Sequence, residues 1–237
     1  MQLGLRASVR AGASITSLSI EEVAGHKQLV IVCGDVLKRF DLRSLSEPRL
    51  IDERTFEGLR GVGSTGRRLL AFGELGIVDV TAQKTFALAH GPVLAAVVLG
   101  DRVVAASPDA LTFYDGNFAV RRRVPIGQVT ALVSTGRCVA AAVAGRAVEV
   151  FERRGDHLDR AGSLAIDCRA GIAAADGFGG RAALFVRGFV GGRVLELGNQ
   201  GRLQGSRLIG ACRGDCGPAC CGSPHHRLRA SLLQFRG

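Results

Sequence analysis

The densest group of metal-ligating side chains lies near the end of the chain, where Cys212, Cys216, Cys220, Cys221, His225 and His226 fall close together. Thiolate and imidazole are the usual zinc donors, so Cys212, Cys216, Cys220 and His225 supply enough ligands for one zinc ion. The spacing is not the C-x2-C pairing of a zinc ribbon, and adjacent cysteines are awkward around a single metal. The same stretch also reads as a Gly-, Pro- and Arg-rich tail without a fixed structure, or as a piece of another reading frame. Residues 206–237 are therefore set apart as a Cys/Arg-rich tail. Its Arg213-Gly214-Asp215 spells an adhesion tripeptide, which carries no weight without a secretion signal.

A second group is Arg121-Arg122-Arg123. Strand alternation puts Arg121 and Arg123 on one face and Arg122 on the other. With Arg153, Arg154 and the tail arginines, they could form a basic stripe toward RNA or an acidic protein surface, or a solvated rim. Only Lys27, Lys38 and Lys84 of the 31 basic residues are lysines, and guanidinium suits bidentate contacts to phosphate or carboxylate. Residues for base stacking are scarce, with one tyrosine, no tryptophan and 11 phenylalanines mostly in apolar runs. No G-x-S-x-G, H-E-x-x-H or G-x-x-x-x-G-K-[ST] motif occurs. Gly177-Phe178-Gly179-Gly180 precedes a strand, not a helix, so it lacks the helix N-terminus of a dinucleotide site. His157 beside Asp156 has no nucleophile partner in sequence. No catalytic residue is assigned, no cofactor is expected apart from zinc in the tail, and no small-molecule substrate is expected.

The elements that hold these groups must come from a chain of 237 residues, 47% hydrophobic and 22% charged, with a mean hydropathy of +0.22. That composition excludes a natively disordered chain and is ample for a buried core. No charge-free apolar run reaches the 18 residues of a membrane span. The net charge of +10 is uneven: six arginines against Asp215 place half of it in residues 201–237. Cys33, Cys138 and Cys168 lie alone in apolar stretches and read as small buried hydrophobes. Met1–Ile20 lacks the apolar core and cleavage site of a secretory signal; it is acid-free, so a transit peptide is the alternative. The expected location is intracellular, in cytoplasm or nucleus.

An internal repeat organises the chain. Five segments end in a large apolar residue followed by an acid: Val36–Leu42, Leu75–Thr81, Leu111–Asn117, Ala147–Arg153 and Arg193–Gly198. The acids are Asp41, Asp79, Asp115, Glu152 and Glu196, spaced 38, 36, 37 and 44 residues apart. Before each lies an apolar strand: Gln28–Gly34, Arg68–Gly73, Arg102–Ser107, Arg137–Ala144 and Ala182–Arg187. Another precedes it in each repeat, at Ile15–Ile20, Gly58–Gly63, Val93–Leu99, Val129–Ser134 and Gly171–Ala175. A more polar strand follows the acid in four repeats, at Arg49–Thr55, Thr85–Ala89, Ala119–Ile126 and Asp159–Ile166. Gly, Asp or Pro joins the pairs, as tight hairpins require. Apolar runs without alternation predict burial on both faces. Small four-stranded antiparallel sheets stacked around an axis supply that burial, so the expected fold is an all-β propeller over residues 1–205 with five recognisable blades.

The motif resembles the WD40-repeat family, in which the third strand ends in Trp-Asp. Phe40-Asp41, Tyr114-Asp115 and Phe151-Glu152 are similar to altered Trp-Asp pairs, and Val78-Asp79 and Leu195-Glu196 are weaker ones. Leu88–Asp115 is the best match, and there the resemblance implies a buried hydrogen-bond network of His90, Ser107, Asp109 and Tyr114. It covers roughly residues 15–200, and the other repeats lack the histidine or the aspartate. At ~40–45 residues per WD40 repeat, seven would need roughly 280–315, more than this chain holds. The ring is thus a small closed one, gains a sixth blade from the termini with Leu3–Val9 as a closing strand, or stays open and is completed by another chain. The resemblance implies a non-enzymatic scaffold that binds other proteins of a larger assembly. The alternatives are an RNA-associated WD-repeat protein of ribosome assembly, and a hydrolase or lyase on the same fold.

Overall fold

The computed structural model describes residue 9 and residues 11–209, except 45, 82–85, 136–137, 156, 170, 177–181, 188–191 and 198–202. Twenty strands form five separate four-stranded antiparallel sheets, each paired in chain order or its reverse. Blade 1 holds β1 (Ile15–Val23), β2 (His26–Cys33), β3 (Val36–Asp41) and β4 (Arg49–Thr55). Blade 2 holds β5 (Leu59–Ser64), β6 (Leu69–Gly73), β7 (Gly76–Asp79) and β8 (Phe86–Ala89). Blade 3 holds β9 (Ala95–Leu99), β10 (Arg102–Ala106), β11 (Ala110–Tyr114) and β12 (Val120–Pro125). Blade 4 holds β13 (Val129–Thr135), β14 (Cys138–Val143), β15 (Ala147–Arg154) and β16 (His157–Ala165). Blade 5 holds β17 (Gly171–Asp176), β18 (Ala182–Arg187), β19 (Gly192–Leu197) and β20 (Leu203–Ile209). The five-bladed propeller expected from the repeat is the fold observed.

The second strands are apolar without alternation because both of their faces are covered. Val103–Ala106 of β10 and Cys138–Ala142 of β14 are buried at every position. Each of the three middle sheets packs one face on the blade before and the other on the blade after, and the end sheets pack on one neighbour, giving four inter-blade cores. Val30, Val32 and Leu37 of blade 1 meet Leu59, Leu69 and Ala71 of blade 2. Leu70 and Ile77 of blade 2 meet Val103 and Ala105 of blade 3. Leu111 and Phe113 of blade 3 meet Val139 and Phe151 of blade 4. Val148 and Val150 of blade 4 meet Leu184 and Leu195 of blade 5.

Every blade carries a register shift between its third and fourth strands, at Arg39/Phe40, Ile77/Val78, Phe113/Tyr114, Val150/Phe151 and Glu196/Leu197. A bulge adds local twist and re-aims the residues beside it. Here it sits next to the repeat acid at the end of the third strand. The fourth strand of blade 5, β20, carries no signal like those of the other blades and was not expected; it runs across residue 205, where the sequence suggested the propeller would end.

First strands pack successively, β1 on β5, β5 on β9, β9 on β13 and β13 on β17. Among the described residues, β17 makes no comparable contact with β1. Instead, Ile31, Cys33 and Phe40 on the outward face of blade 1 are covered by Val9 and Ala11. Most of the proposed closing strand Leu3–Val9 lies outside the described residues.

Candidate functional site

The repeat acids lie on one face of the stack, where first strands turn into second and third into fourth. Asp41 accepts the backbone N–H of Arg43 at 2.9 Å, and Asp79 accepts that of Thr81 at 2.9 Å. Asp115 accepts two, from Asn117 at 2.9 Å and Ala119 at 3.0 Å. Such Asx-type bonds hold the chain in the reversal that starts the fourth strand. Each acid also meets a guanidinium: Asp41 with Arg43, Asp79 with Arg68, Asp115 with Arg121, and Glu152 with Arg154. The amides of Ala119 and Asn117, with Arg121, hold the Asp115 carboxyl below the ordinary aspartate value. Bonds from Arg43 do the same for Asp41. In blades 1–3 the acid is a turn anchor, whereas Glu152 of blade 4 lies within β15 and is held by the Arg154 side chain. Glu196 is placed by register opposite Ala183 and Gly205.

The four-residue network implied by the WD40 resemblance is assembled only in part. Ser107 donates to Asp109 at 2.9 Å, but Asp109 and His90 are exposed. Asp109 turns outward into a two-oxygen contact with Arg123. Ser107 and Arg123 hold its carboxyl below the ordinary value. Tyr114 is half-buried against the core of blades 2 and 3 and packs beside Phe118, with ring centroids 6.5 Å apart. The network fails because Arg123 lies where it can take the aspartate, and His90 sits outside the sheet in the turn after β8.

Arg121, Arg122 and Arg123 occupy β12 as alternation predicted, with Arg122 turned toward blade 4. Each is matched with a carboxylate: Arg121 with Asp115 at 2.6 Å, Arg122 with Asp159 at 3.3 Å and Arg123 with Asp109 at 2.9 Å. They form a row of ion pairs rather than an uncompensated basic stripe.

Between blades 2 and 3 these turns enclose a cleft of about 540 Å³. Arg67, Arg68, Asp101, Arg102, Asp115 and Arg121 supply its charges, so guanidinium outnumbers carboxylate. Glycine-containing turns bring Arg67 and Arg68 to the rim, and the β11–β12 loop brings Asp115 and Arg121. Arg68 lies over the Phe118 ring at 5.6 Å from its centroid, a cation–π seat that keeps the guanidinium pointed into the cleft. The chemistry on offer is multidentate recognition of an anionic group, because guanidinium presents several fixed donors. Asp115 is held as an ion by its partners and is a poor proton donor. The sequence singled out Asp115 and Arg121 but not the cleft they line, since its residues come from turns of two different repeats.

Sequence reasoning also missed Arg39. It is buried at the junction of blades 1 and 2 and donates to Gln28, Asp52, and the carbonyls of Val80 and Thr81. Burial lowers its pKa and Asp52 raises it. The same kind of strap links blades 3 and 4, where Arg102 donates to the carbonyl of Gly155 and Arg153 to that of Leu99.

Cys33, Cys138 and Cys168 are buried thiols, as their apolar surroundings suggested. Among the described residues no group of three His, Cys, Asp or Glu side chains is placed to hold a metal. Cys212, Cys216, Cys220 and His225 lie outside the described residues. Among the described residues no helix is long and apolar enough to cross a membrane.

No family model matches the sequence, and no curated protein matches it either. Solved structures do. The N-terminal domain of Nup159 superposes with a TM-score of 0.56 at 12% identity, covering 83% of this chain and 61% of that one. An S. cerevisiae structure of Dbp5 bound to Nup159 and Gle1 matches at a TM-score of 0.56 and 12% identity, over 79% of this chain and 59% of that one. Hsv2 from Kluyveromyces marxianus matches at 0.59 and 15% identity, over 84% of this chain and 73% of that one. This chain thus spans about three fifths of the length of the Nup159 matches. At these identities the likeness concerns the fold alone, and the fold is a five-bladed β-propeller.

Proposed function

We propose that this chain is a non-enzymatic protein-interaction scaffold, a propeller subunit of a larger intracellular assembly. The observation that carries the reading is the arginine-lined cleft between blades 2 and 3, set on a face of rigid, acid-anchored turns. A cationic recess of this size suits an acidic segment of a partner protein. Arg67 at its rim and Arg121 along its wall would form charge-assisted bonds to that segment's carboxylates. Rigid turns limit the ordering cost of binding. The S. cerevisiae structure that holds Nup159 with Dbp5 and Gle1 supports the reading by likeness of fold.

The rival reading, an RNA-associated propeller, would draw on the same guanidinium groups, but the sequence offers few rings for base stacking, with one tyrosine and no tryptophan. The test is purification of the tagged full chain at physiological salt. A companion protein in fixed stoichiometry is expected, and Arg67→Glu with Arg121→Glu should release it at least tenfold faster. Recovery of the chain alone, or with RNA as its sole companion, would contradict the proposal.

A further inference from the structure

Three turns meet at the cleft between blades 2 and 3, and the charge they bring is unequal. The guanidinium groups of Arg67, Arg68, Arg102 and Arg121 line it against the carboxylates of Asp101 and Asp115, four cations to two anions. Arg102 is committed to the wall, where it donates to the Gly155 carbonyl and lies over the Phe113 ring. The other three keep donors for a ligand. Arg121 gives Nε, at 2.7 Å, and Nη2, at 2.6 Å, to one oxygen of Asp115, which leaves Nη1 outside the pair. Arg68 reaches Asp79 only at 3.6 Å, beyond hydrogen-bond range. Arg67 is exposed, and among the described residues no hydrogen bond or ion pair holds it.

The turn after β11 fixes this arrangement before any ligand arrives. Phe118 is buried yet adopts φ +63°, a region that a bulky side chain rarely enters. Its N–H donates to the Asp115 carbonyl at 2.9 Å, and the amides on either side, of Asn117 and Ala119, donate to the Asp115 carboxylate. The ring so placed is the seat over which Arg68 lies. Asp115 therefore anchors Arg121 directly and supports Arg68 through Phe118. Its oxygens are already bonded, so it competes little with a ligand for Arg67. Donors held in advance lose little freedom on binding.

The excess of cations in the lining matches one dianion better than one carboxylate. A phosphate monoester carries about −1.5 to −2 near neutral pH and offers three terminal oxygens at one centre, one for each of Arg67, Arg68 and Arg121. Guanidinium forks suit such oxygens. A carboxylate brings two oxygens and a single charge. Resting on the reading of this cleft as a seat for a partner's acidic segment, we infer that the group anchored there is a phosphorylated serine or threonine of that segment. A peptide fits better than a lipid headgroup. Val120, at the start of β12 beside Arg121, is the one exposed large hydrophobic among the described residues of the three lining segments. One such side chain can meet a neighbouring apolar residue of a peptide, whereas membrane docking needs a broader apolar face.

The test offers the full chain histidine-free peptide libraries that differ at one fixed position, holding phosphoserine, glutamate or serine. Retention on phosphoserine should exceed that on glutamate at least roughly tenfold. It should also rise several-fold from about pH 5.5 to about pH 7.5, as the phosphate passes its second ionisation near ~6. The charged groups facing the ligand are Arg67 and Arg68 of the β5–β6 turn, Asp101 and Arg102 of the β9–β10 turn, and Asp115 and Arg121 of the β11–β12 segment, with Asp79 of β7 behind Arg68. None is a histidine, so the pH response belongs to the phosphate. Arg67→Ala, at an exposed position, should cut retention on phosphoserine about tenfold, and Arg67→Lys by less, since the charge survives without the fork. In the complex purified from native cells, phosphatase should release the same companion protein that charge reversal in the cleft releases. Equal retention on glutamate and phosphoserine would overturn the phosphate and leave the scaffold reading standing. So would a companion that survives dephosphorylation but not Arg67→Glu with Arg121→Glu. Binding to vesicles of phosphatidylcholine with phosphatidylinositol monophosphate, without retention on any peptide library, would overturn it in favour of a lipid. Absence of both a companion and peptide retention would overturn both readings.

Discussion

Single arginines do much of the joining in this fold. Arg39 satisfies two carbonyls of blade 2 from a strand of blade 1, and it is buried with Gln28 and Asp52 as further partners. Arg39→Met would leave those acceptors without donors, so unfolding in urea should show a loss of about 2–3 kcal/mol. Arg43→Ala, which removes only an exposed pair with Asp41, should cost less than about 0.5 kcal/mol. The turn acids set a pH dependence. Asp41, Asp109 and Asp115 are held below their ordinary value of 3.8. The stability they contribute is present above that value and drains away as pH falls below it toward their folded values. Glu21, raised by burial, acts in the opposite sense, favouring the fold as pH drops through its raised value. Asp115→Asn should therefore flatten the loss of thermal stability between pH 5 and pH 3, and an unchanged slope would refute the anchoring role.

Strands show why much of the fold was legible and part of the site was not. The five second strands could be found because doubly buried sheets need unbroken apolar runs, and the hairpins between them need Gly or Asp. β20 escaped because Leu203–Ile209 mixes Gln, Gly, Ser and Arg with its leucines. The acids were recognised by their spacing, yet their job as turn anchors depends on a bulge that spacing does not reveal. His90 and Asp109 matched the family pattern in type, but the family network also needs a buried pocket, and here Arg123 draws Asp109 to the surface. Arg39 reads as an ordinary charge in Val36–Asp41 because the carbonyls it serves lie about forty positions away. Turn geometry gives a prediction at this scale. Gly76 adopts φ +100° at the start of β7, where an added Cβ would strike the carbonyl of Ala89. Gly76→Ala should destabilise by at least about 2 kcal/mol in thermal or urea unfolding.

Seen whole, the molecule is a stack of five like sheets with a core between each successive pair and a charged face of anchored turns. Its interior is quasi-one-dimensional, so damage at one interface should spread to its neighbours only through packing. Phe113→Ala, in the core shared by blades 3 and 4, should cost about 3–5 kcal/mol. Among the described residues no blade covers the outward faces of blades 1 and 5, so the stack is open between its two end blades. Hydroxyl-radical footprinting of the isolated full chain, read by mass spectrometry at single phenylalanines, tests it directly. Phe185 should be oxidised at least roughly tenfold faster than Phe113 and Phe151, as expected for an aromatic ring open to water against rings sealed in a core. Protection of Phe185 equal to that of Phe113 would mean that the ring closes on itself, and would contradict the account.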